Sequence, residues 1–371
     1  MSRVLVSMSG GVDSAVAAAL LVEQGHDVTG VHLKLADVPL AEQIPGQGCC
    51  TLDDAQDARR VAQVLGIDFY VWDLSEVFRR EVQDPFAAGY AAGTTPNPCV
   101  TCNEQVKYAA LLERATALGF DALATGHHVR LRRGRDPVVE PGPDVRMLRA
   151  VDRRKDQTYV LYMATPDQLA RSLFPIGELT KDQVRAAAAD RGLRVGDKPD
   201  SYDVCFIPDG DTAGYLAGRL PPAPGEIVDV DGTVLGQHDG VWRFTIGQRR
   251  GLGLDHHERR FVIDLDPLRN RVVVGPREAL ATSRIEATDV NWVRGQPPRG
   301  SVAVQVRAHG SLHPADVVVA GRNLVVDLHE PAFGVAAGQA VVAYGPDGEE
   351  CLGGGRMVAT DRIGSRVTVA Q

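Results

Sequence analysis

A glycine-rich turn near the start of the chain constrains the fold more than any other feature. Ser9–Ser14 reads Ser-Gly-Gly-Val-Asp-Ser; it follows the apolar run Val4–Val6, typical of a strand, and runs into Ser14–Leu21, typical of a helix. Glycines let backbone N–H groups approach an anion closely, and a helix N-terminus adds partial positive charge. The segment therefore predicts a phosphate-binding loop in an α/β fold. Asp13 cannot contact phosphate favourably by itself, so it indicates either Mg²⁺ in the site or a helix-capping role.

The turn differs from two common nucleotide-binding motifs. No Lys follows its glycines, as a Walker A loop requires, and the spacing is not the Gly-x-Gly-x-x-Gly of dinucleotide-binding folds. The six residues resemble instead the PP-loop of the ATP pyrophosphatases, which holds the β- and γ-phosphates of ATP while the α-phosphorus is attacked. The plainer alternative is a Gly-Gly turn followed by a helix cap, which Ser and Asp also favour.

Composition sets wide limits on the rest of the chain. Its 371 residues suffice for two or three domains, and 44% hydrophobic and 24% charged residues are ordinary for a soluble globular protein. No apolar run reaches the roughly 18 residues that a membrane span needs, and the N-terminus has no signal-peptide pattern. We therefore expect a cytoplasmic protein with no membrane partner. The net charge of −8 argues against a nucleic-acid binder that is basic overall.

Basic residues are nevertheless concentrated in two places. Between Arg130 and Lys155, nine Lys and Arg residues are interrupted by four acidic residues. The second cluster consists of Arg243, Arg249, Arg250, Arg259 and Arg260. Local patches of this kind can bind phosphate groups on an acidic protein, although a solvated surface explains the charges equally well.

Strand and helix patterns alternate through the first half of the chain. This rhythm predicts a doubly wound parallel sheet whose ligands lie beyond the strand C-termini, where Ser9–Ser14 and Gly126–His128 both fall. After Cys205, Gly and Pro become frequent and the predicted strands are short, which is typical of a small barrel or sandwich. We therefore predict an α/β architecture with a PP-loop catalytic domain over 1–205, a small central β-rich domain over 206–282 and a C-terminal β-barrel over 283–371.

The cysteines are candidates for chemistry. The six are too few for a disulfide scaffold. Cys99 and Cys102 form a Cys-x-x-Cys in a Pro-flanked loop, which fits a redox pair, half a metal site or two small buried side chains. A zinc site would usually need a second pair, and the sequence has no other Cys-x-x-Cys. Cys205 follows about a hundred residues later, so an iron–sulfur cluster on three cysteines and a fourth ligand stays open.

Nine segments in order resemble the tRNA-specific 2-thiouridylases of the MnmA/TrmU family, over nearly the whole length. They are Met8–Ser14, Cys49–Ala55, Thr95–Asn103, Ala124–His127, Lys155–Gln157, Lys198–Ser201, Cys205–Ile207, Thr245–Gly253 and Cys351–Gly355. The resemblance implies that ATP adenylates the C2 oxygen of the wobble uridine in tRNA and releases pyrophosphate. A persulfide sulfur then replaces this oxygen, releasing AMP. ATP and Mg²⁺ are the implied cofactors; tRNA and a persulfide-donor protein (a cysteine desulfurase or a relay protein) are the implied partners.

The resemblance also implies roles for individual residues. Cys205 would carry the persulfide, Cys102 would assist sulfur release and could form a disulfide with Cys205, and Asp13 would act in catalysis. The ATP-binding positions would be Ser7, Met8, Ser9, Gly10, Gly11, Val12, Asp13, Ser14, Leu33 and Gly126. The tRNA-binding positions would be Asn97, Pro98, Cys99, His127, Lys155, Asp156, Gln157, Arg307, Ala308 and Gln339. No residue is assigned as a metal ligand.

The chain departs from the family pattern at a few positions. Leu33 stands where Met is often seen, Ala308 where an aromatic residue often follows the Arg, and His128 where Tyr is usual. Two assigned residues also have structural alternatives: Cys99 as a structural thiol beside the target base, and His127 as a hydrogen-bonded histidine at a strand end. The cysteines expected to pack structurally are Cys49, Cys50 and Cys351.

Two other functions remain compatible with the sequence. A PP-loop amidotransferase or synthetase that uses ammonia on an adenylated carbonyl would need no cysteine pair, and no glutaminase nucleophile is visible at the N-terminus. Its activity would survive loss of Cys102 and Cys205. A non-enzymatic RNA-binding protein that holds a metal or cluster would retain metal through purification and form no AMP.

Overall fold

The computed structural model describes residues 1–35, 52–133, 145–196, 204–207, 209–254 and 259–362. Cys49, Cys50 and Arg135 lie outside the described residues. Within these ranges, the helices are all too short or too polar to cross a membrane.

The N-terminal half alternates strands and helices. Its elements are β1 (Arg3–Ser7), α1 (Val12–Glu23), β2 (Asp27–Lys34), α2 (Leu52–Leu65), β3 (Asp68–Asp73), α3 (Ser75–Phe78), α4 (Asp84–Ala91), α5 (Pro98–Thr101), α6 (Glu113–Ala117), β4 (Ala122–Thr125), β5 (Val129–Arg133), β6 (Val145–Arg149), α7 (Pro166–Ala170), β7 (Ser172–Leu173) and α8 (Lys181–Asp190). Two π-helical segments, Arg79–Gln83 and Cys102–Leu112, connect α3 to α4 and α5 to α6. The predicted helix that follows the phosphate loop is therefore present.

Five of these strands form a parallel sheet in the order β3-β2-β1-β4-β7, which confirms the predicted fold class. The central strand β1 is buried on both faces, because Leu5 packs into one apolar cluster while Val4 and Val6 pack into another. The strand order reverses between β1 and β4. Ligands of open α/β sheets bind beyond the strand C-termini at such a reversal.

The second half of the chain is almost entirely β-structure. Its elements are α9 (Thr212–Ala217), β8 (Gly225–Asp229), β9 (Val234–His238), β10 (Phe261–Asp266), β11 (Arg271–Gly275), β12 (Ala281–Trp292), β13 (Val302–Gln305), β14 (His313–Ala320), β15 (Asn323–Phe333), β16 (Ala340–Tyr344) and β17 (Glu350–Arg362). A small sheet has the order β10-β11-β8-β9. Six strands in the order β12-β15-β14-β13-β16-β17 close through a β12–β17 pairing, so the predicted barrel or sandwich is a barrel.

A hairpin from the N-terminal half extends the barrel sheet. Strands β5 and β6 pair with each other, and β6 pairs with β17 through Cys351 opposite Met147. The sequence pattern of this stretch indicated a basic cluster and did not predict the hairpin. Much of its positive charge is paired within the fold, since Arg130 lies 2.9 Å from Glu349 and Arg149 lies 2.9 Å from Asp156.

One apolar cluster joins the parallel sheet to the barrel. It extends from Leu5 in β1 through Cys102 to Val342 and Tyr344 in β16. Tyr159, which follows the hairpin, donates a hydrogen bond from its hydroxyl to Ala340 O at 2.8 Å. The barrel therefore packs directly on the domain that contains the glycine-rich turn.

Candidate functional site

The glycine-rich turn forms an anion cradle at the N-terminus of α1. Gly11 is the N-cap residue, and because it has no side chain it makes no capping hydrogen bond at this helix end. The hydroxyl oxygens of Ser9 and Ser14 lie 3.3 Å apart, and Ser14 Oγ donates to Gly11 O at 3.1 Å. Helix N–H groups that lack a side-chain acceptor are suited to bind phosphate oxygens, and the two hydroxyls add further donors.

The residues around the turn are fixed by the neighbouring strand and helix. Met8 N donates to Val31 O at 2.8 Å, and Met8 O accepts from His32 Nδ1 at 2.9 Å. Met8 therefore anchors the turn to β2, and its backbone groups are used for this anchoring. Gly10 has φ +80°, and a Cβ there would lie 2.4 Å from Asp54 O, so only glycine fits beneath α2.

Three more predicted ATP-binding residues lie on the strands beside the turn. Ser7 ends β1 in register with Thr125 of β4. Gly126 follows β4 and passes against α1, where a Cβ would lie 2.6 Å from Ser14 N. Leu33 is buried near the end of β2 and packs in the apolar core. The structure thus brings Ser7 and Gly126 to the turn, while the side chain of Leu33 packs in the core.

Asp13 is held by two side chains that the sequence analysis left without a role. Lys181 Nζ donates to both carboxylate oxygens, at 2.8 and 2.7 Å, and His128 Nε2 lies 3.3 Å from Oδ1. Burial alone would raise the pKa of Asp13, but the hydrogen bonds from His128 and Lys181 outweigh it and lower the pKa below its usual range. Asp13 is therefore an ion-pair partner of Lys181, and Gly11 rather than Asp13 occupies the N-cap of α1.

Lys181 is placed by an N-terminal capping box. Thr180 caps α8, with its hydroxyl accepting from Gln183 N and the Gln183 side chain accepting from Thr180 N. Lys181 is then the first helical residue, and it is 8% exposed. A cation is unfavourable at a helix N-terminus because of the helix dipole. A lysine at the first helical position inside a capping box was therefore the sequence signal that could have identified this residue.

His127 is buried and engaged through both ring nitrogens. Nδ1 lies 2.7 Å from Thr125 Oγ1, and Nε2 lies 3.3 Å from Lys107 Nζ. Burial and then the nearby charge of Lys107 lower the pKa of His127 well below 6.5. The ring is therefore neutral, donating from Nδ1 to Thr125 and accepting from Lys107. This geometry matches the structural alternative, and the tRNA-proximal role stays a prediction.

The segment Lys155–Gln157 supports the turn after β4. Asp156 accepts hydrogen bonds from Arg149 Nε, Ala150 N and Thr158 Oγ1 at 2.8 to 2.9 Å. Gln157 Oε1 accepts from His128 N at 2.9 Å, and Gln157 N donates to His128 O at 3.1 Å. Asp156 and Gln157 therefore use their polar groups within the protein. The predicted contact of this segment with tRNA is a separate hypothesis.

Residues 95–102, which we call the thiol loop, lead into a helix whose N-terminus is capped by Asn97. Asn97 Oδ1 accepts from Cys99 N at 3.0 Å and from Val100 N at 3.3 Å, and Pro98 occupies the first turn of α5. Cys99 is half-buried, whereas Cys102 is 8% exposed and opens the following π-helical segment. The cap of Asn97 therefore determines where the helix that contains both thiols starts.

Cys205 packs against the apolar cluster that contains Cys102, although about a hundred residues separate them in the sequence. The neighbouring Phe206 ring contacts Phe78 and Phe86 edge to face, with centroids 5.6 and 5.4 Å apart. This packing fixes the backbone next to a half-buried thiol. The structure thus brings the two predicted sulfur-handling cysteines to one cluster.

Cys351 packs in the same cluster, as predicted, but it differs in chemistry. It lies on β17, is 1% exposed, and burial raises the pKa of its thiol well above the usual range. A thiol that stays protonated is a poor nucleophile. Among the described residues, no three His, Cys, Asp or Glu side chains come together as possible ligands of a metal ion.

The predicted tRNA-binding residues of the barrel differ in exposure. Arg307 is exposed, with Nη2 donating to Phe333 O at 2.6 Å. Ala308 packs partly against the apolar cluster. Gln339 is half-buried and donates from Nε2 to Thr95 O at 2.8 Å, so this side chain contacts the loop before Asn97.

The fold and the site define a nucleotide-binding α/β domain joined to two β domains. Three family models match in the same order: the tRNA methyl transferase HUP domain over residues 2–209, the tRNA methyl transferase PRC-barrel domain over 213–276, and the aminomethyltransferase beta-barrel domain over 282–357. The first of these covers more than half of the chain and corresponds to an ATP-utilising fold.

Curated relatives extend over nearly the whole chain. The tRNA-specific 2-thiouridylase MnmA of Salinispora arenicola is 54% identical over 366 residues, covering 96% of this chain and 99% of the relative. The protein of the same name from Nocardioides sp. is 52% identical over 373 residues, covering 98% and 100%. The chain therefore belongs to the MnmA family of tRNA-specific 2-thiouridylases.

A solved 4-thiouridine synthetase–RNA complex with bound ATP is a more distant neighbour. It is 16% identical, covers 56% of this chain and 45% of its own, and has a TM-score of 0.38. This likeness is too weak to add to the family assignment.

Proposed function

We propose that this protein is an ATP-dependent tRNA 2-thiouridylase, which replaces the C2 oxygen of the wobble uridine by sulfur. The proposal rests above all on one observation: a phosphate cradle, the buried Cys102 and the half-buried Cys205 occur in the same domain of a chain whose relative at 54% identity is named a tRNA-specific 2-thiouridylase. A tRNA substrate is in turn consistent with the expected cytoplasmic location. The sulfur would come from a persulfide-donor protein.

The first half-reaction uses the cradle. The uracil C2 oxygen attacks the α-phosphorus of ATP, and pyrophosphate leaves. The N–H groups at the start of α1 and the hydroxyls of Ser9 and Ser14 would hold the phosphates, while Gly126 leaves room beside them. Lys181, held against Asp13, would add an ammonium donor for the oxygens of the departing pyrophosphate.

Magnesium fits this site poorly as a protein-held ion. Both oxygens of Asp13 accept from Lys181, so this carboxylate is already neutralised. Mg²⁺ keeps several waters and is often bound mainly through substrate phosphates. We therefore expect Mg²⁺ to enter with ATP, and no step here is assigned to a metal bound by Asp13.

The second half-reaction uses the thiols. The terminal sulfur of a Cys205 persulfide attacks C2 of the adenylated uracil, and AMP leaves. The thiolate of Cys102 then attacks Sγ of Cys205, which releases 2-thiouridine and leaves a Cys102–Cys205 disulfide. An external thiol must reduce this disulfide before the next turnover. Both cysteines border the apolar cluster between the parallel sheet and the barrel; the pairing itself is part of the proposal.

Nucleoside mass analysis tests the proposal. The purified protein is incubated with unmodified tRNA, Mg-ATP and a persulfide source, and the digested nucleosides are weighed. We expect a uridine whose mass increase equals replacement of one oxygen by one sulfur, and only when ATP is present. Pyrophosphate release without this increase would indicate another acceptor and favour the amidotransferase or synthetase alternative. Neither signal, with metal retained after purification, would favour the non-enzymatic alternative.

A further inference from the structure

A turn of the barrel is hydrogen-bonded to the loop that leads to Cys102. Thr95 N donates to Ala337 O at 2.8 Å, and Gln339 Nε2 donates to Thr95 O at 2.8 Å. Both backbone polar groups of Thr95 are therefore bound by residues more than 240 positions later, and Thr95 is 9% exposed. We call residues 336–339 the barrel turn.

The barrel turn is shaped to accept this loop. Gly338 has φ +92°, and a Cβ there would lie 2.9 Å from Thr95 C and 3.0 Å from Pro96 N. Two backbone atoms cannot retreat as a flexible side chain could, so any larger residue displaces the loop. The turn itself is fixed to β17, because Gly338 N donates to Met357 O and Met357 N donates to Gln339 O, both at 2.8 Å.

An ion pair between Arg356 of β17 and Glu104, 3.7 Å apart, also joins the barrel to the segment that begins at Cys102. A cavity of about 260 Å³ lies beside the barrel turn, with Pro96 and Pro98 on the loop side and Met357 and Val358 on the barrel side. The hydrogen bonds at Thr95 therefore hold the start of the loop against the barrel turn, on one side of this cavity.

A short and mostly helical segment separates Thr95 from the thiols of Cys99 and Cys102. Asn97 caps α5 two residues later, and α5 continues into the π-helical segment that opens at Cys102. A displacement at Thr95 therefore shifts the helix start, and with it Cys99 and Cys102.

We propose that Gln339 and Gly338 are positioning residues for Cys102: the barrel turn fixes the Thr95–Cys99 loop so that the thiol is aligned for sulfur release. The proposal rests on the proposed role of Cys102 and goes beyond it. It assigns Gln339 a structural role within the protein, because the side-chain amide of Gln339 donates a hydrogen bond to Thr95 O.

Paired variants test this inference in the full-length protein. Gln339→Ala and Gly338→Ala are compared with Gln237→Ala, an exposed glutamine of β9, and with Gly300→Ala, which has φ +82° and nothing within 4 Å of its added Cβ. We expect both barrel-turn variants to lower the single-turnover thiolation rate on the order of 10- to 100-fold, since a displacement of about 1 Å can cost that much. The affinity for tRNA and the release of pyrophosphate should be unchanged, and both controls should match the wild type.

A second readout needs neither tRNA nor ATP. The rate at which iodoacetamide alkylates Cys102, followed by peptide mass analysis, should change in both barrel-turn variants and in neither control. This separates the inference from the proposed function, because the alkylation rate reports the position of Cys102 even in a protein that thiolates nothing. Gln339→Glu, nearly the same size but without the donor, replaces Gln339→Ala if that variant melts early.

Two results would overturn the inference. A loss of tRNA affinity with an unchanged thiolation rate at saturating tRNA would make Gln339 a direct RNA contact. Unchanged thiolation and unchanged Cys102 alkylation in Gly338→Ala would show that the loop does not depend on the barrel turn.

Discussion

The phosphate cradle and the thiol loop lie in one domain but are assembled differently. The cradle is formed mainly by consecutive residues, Ser9–Ser14, between a strand and a helix, and strand order brings Gly126 against it. The proposed thiol site instead combines Cys102 with Cys205, about a hundred residues later, and its loop is hydrogen-bonded by Gln339, 244 residues from Thr95. A site made of consecutive residues can be predicted from the sequence. A site whose residues lie far apart in the sequence can be recognised only once the fold is known. A mutation in the phosphate cradle should therefore leave the sulfur chemistry intact, and a mutation of a thiol should leave pyrophosphate release intact.

Cys205→Ser should have the largest effect and should separate the two sites. Serine cannot hold a sulfane sulfur, so ATP-dependent thiolation of tRNA should fall below detection. The cradle is untouched, so tRNA-dependent pyrophosphate release should persist. The measurement is parallel detection of 2-thiouridine and pyrophosphate with the same enzyme preparation. Thiolation at the wild-type rate would remove Cys205 from the mechanism.

Lys181→Met should impair the phosphate cradle, and its effect should be slightly smaller than that of Cys205→Ser on thiolation. Loss of the ammonium beside the phosphates should lower the rate of pyrophosphate release on the order of 100- to 1,000-fold. Persulfide loading of Cys205, measured by mass spectrometry, should be unaffected because the thiols lie in a different cluster. If loading failed while pyrophosphate release persisted, the separation of the two sites would be wrong.

The same variant leaves Asp13 without its partner, so stability must be measured as well. Removing one member of a buried pair costs about 3–5 kcal/mol, and the partial exposure of Asp13 should reduce this cost. The double variant Asp13→Asn with Lys181→Met should recover much of the lost stability but none of the activity. Recovery of both would assign Lys181 a purely structural role.

The sequence predicted contiguous features well. The strand, turn and helix around Ser9–Ser14 are present, and the parallel sheet and the barrel are confirmed. The hairpin β5–β6 was missed because its partner strand β17 lies two hundred residues later, and arginine-rich strands resemble a solvated patch until their acidic partners are placed. The pairing of Lys181 was missed because 168 residues separate it from Asp13, although its place in the first turn of a capped helix was a local signal of an unusual cation. Pairing between distant elements is decided by packing, which local patterns do not encode.

Gly126→Ala should have an intermediate effect that is confined to the cradle. The added Cβ would lie 2.6 Å from Ser14 N and would push on the first turn of α1. Overpacking of this kind costs about 1–3 kcal/mol, and 1.4 kcal/mol corresponds to a tenfold change in an equilibrium constant. We therefore expect roughly a tenfold rise in the KM for ATP.

Gly196→Ala is the matched control, because nothing lies within 4 Å of its added Cβ. Its KM for ATP and melting temperature should equal those of the wild type. A normal KM in Gly126→Ala would mean that the turn after β4 does not border the nucleotide.

Acid titration should show a smaller effect at the cradle. The folded-state pKa of Asp13 lies below its usual value of 3.8, because hydrogen bonds from His128 and Lys181 outweigh the opposing effect of burial. The ion pair therefore stabilises the protein above that value and is lost as the pH falls through the folded-state pKa. Asp13→Asn should be less stable than the wild type near about pH 7, and urea unfolding should show the gap closing below about pH 4. A gap independent of pH would contradict the ion pair.

Cys351→Ala should have the smallest effect and tests where the thiol site ends. Cys351 packs in the same apolar cluster as Cys102, but it is 1% exposed and burial raises its thiol pKa. Its sulfur therefore fills space in the apolar cluster and is not available as a thiolate. We expect a loss of about 1 kcal/mol in the free energy of unfolding and an unchanged rate of thiolation. The reverse result, normal stability with lost thiolation, would extend the sulfur chemistry to a third cysteine from the barrel. The thiol site would then combine Cys102 and Cys351, which lie even farther apart in the sequence than Thr95 and Gln339.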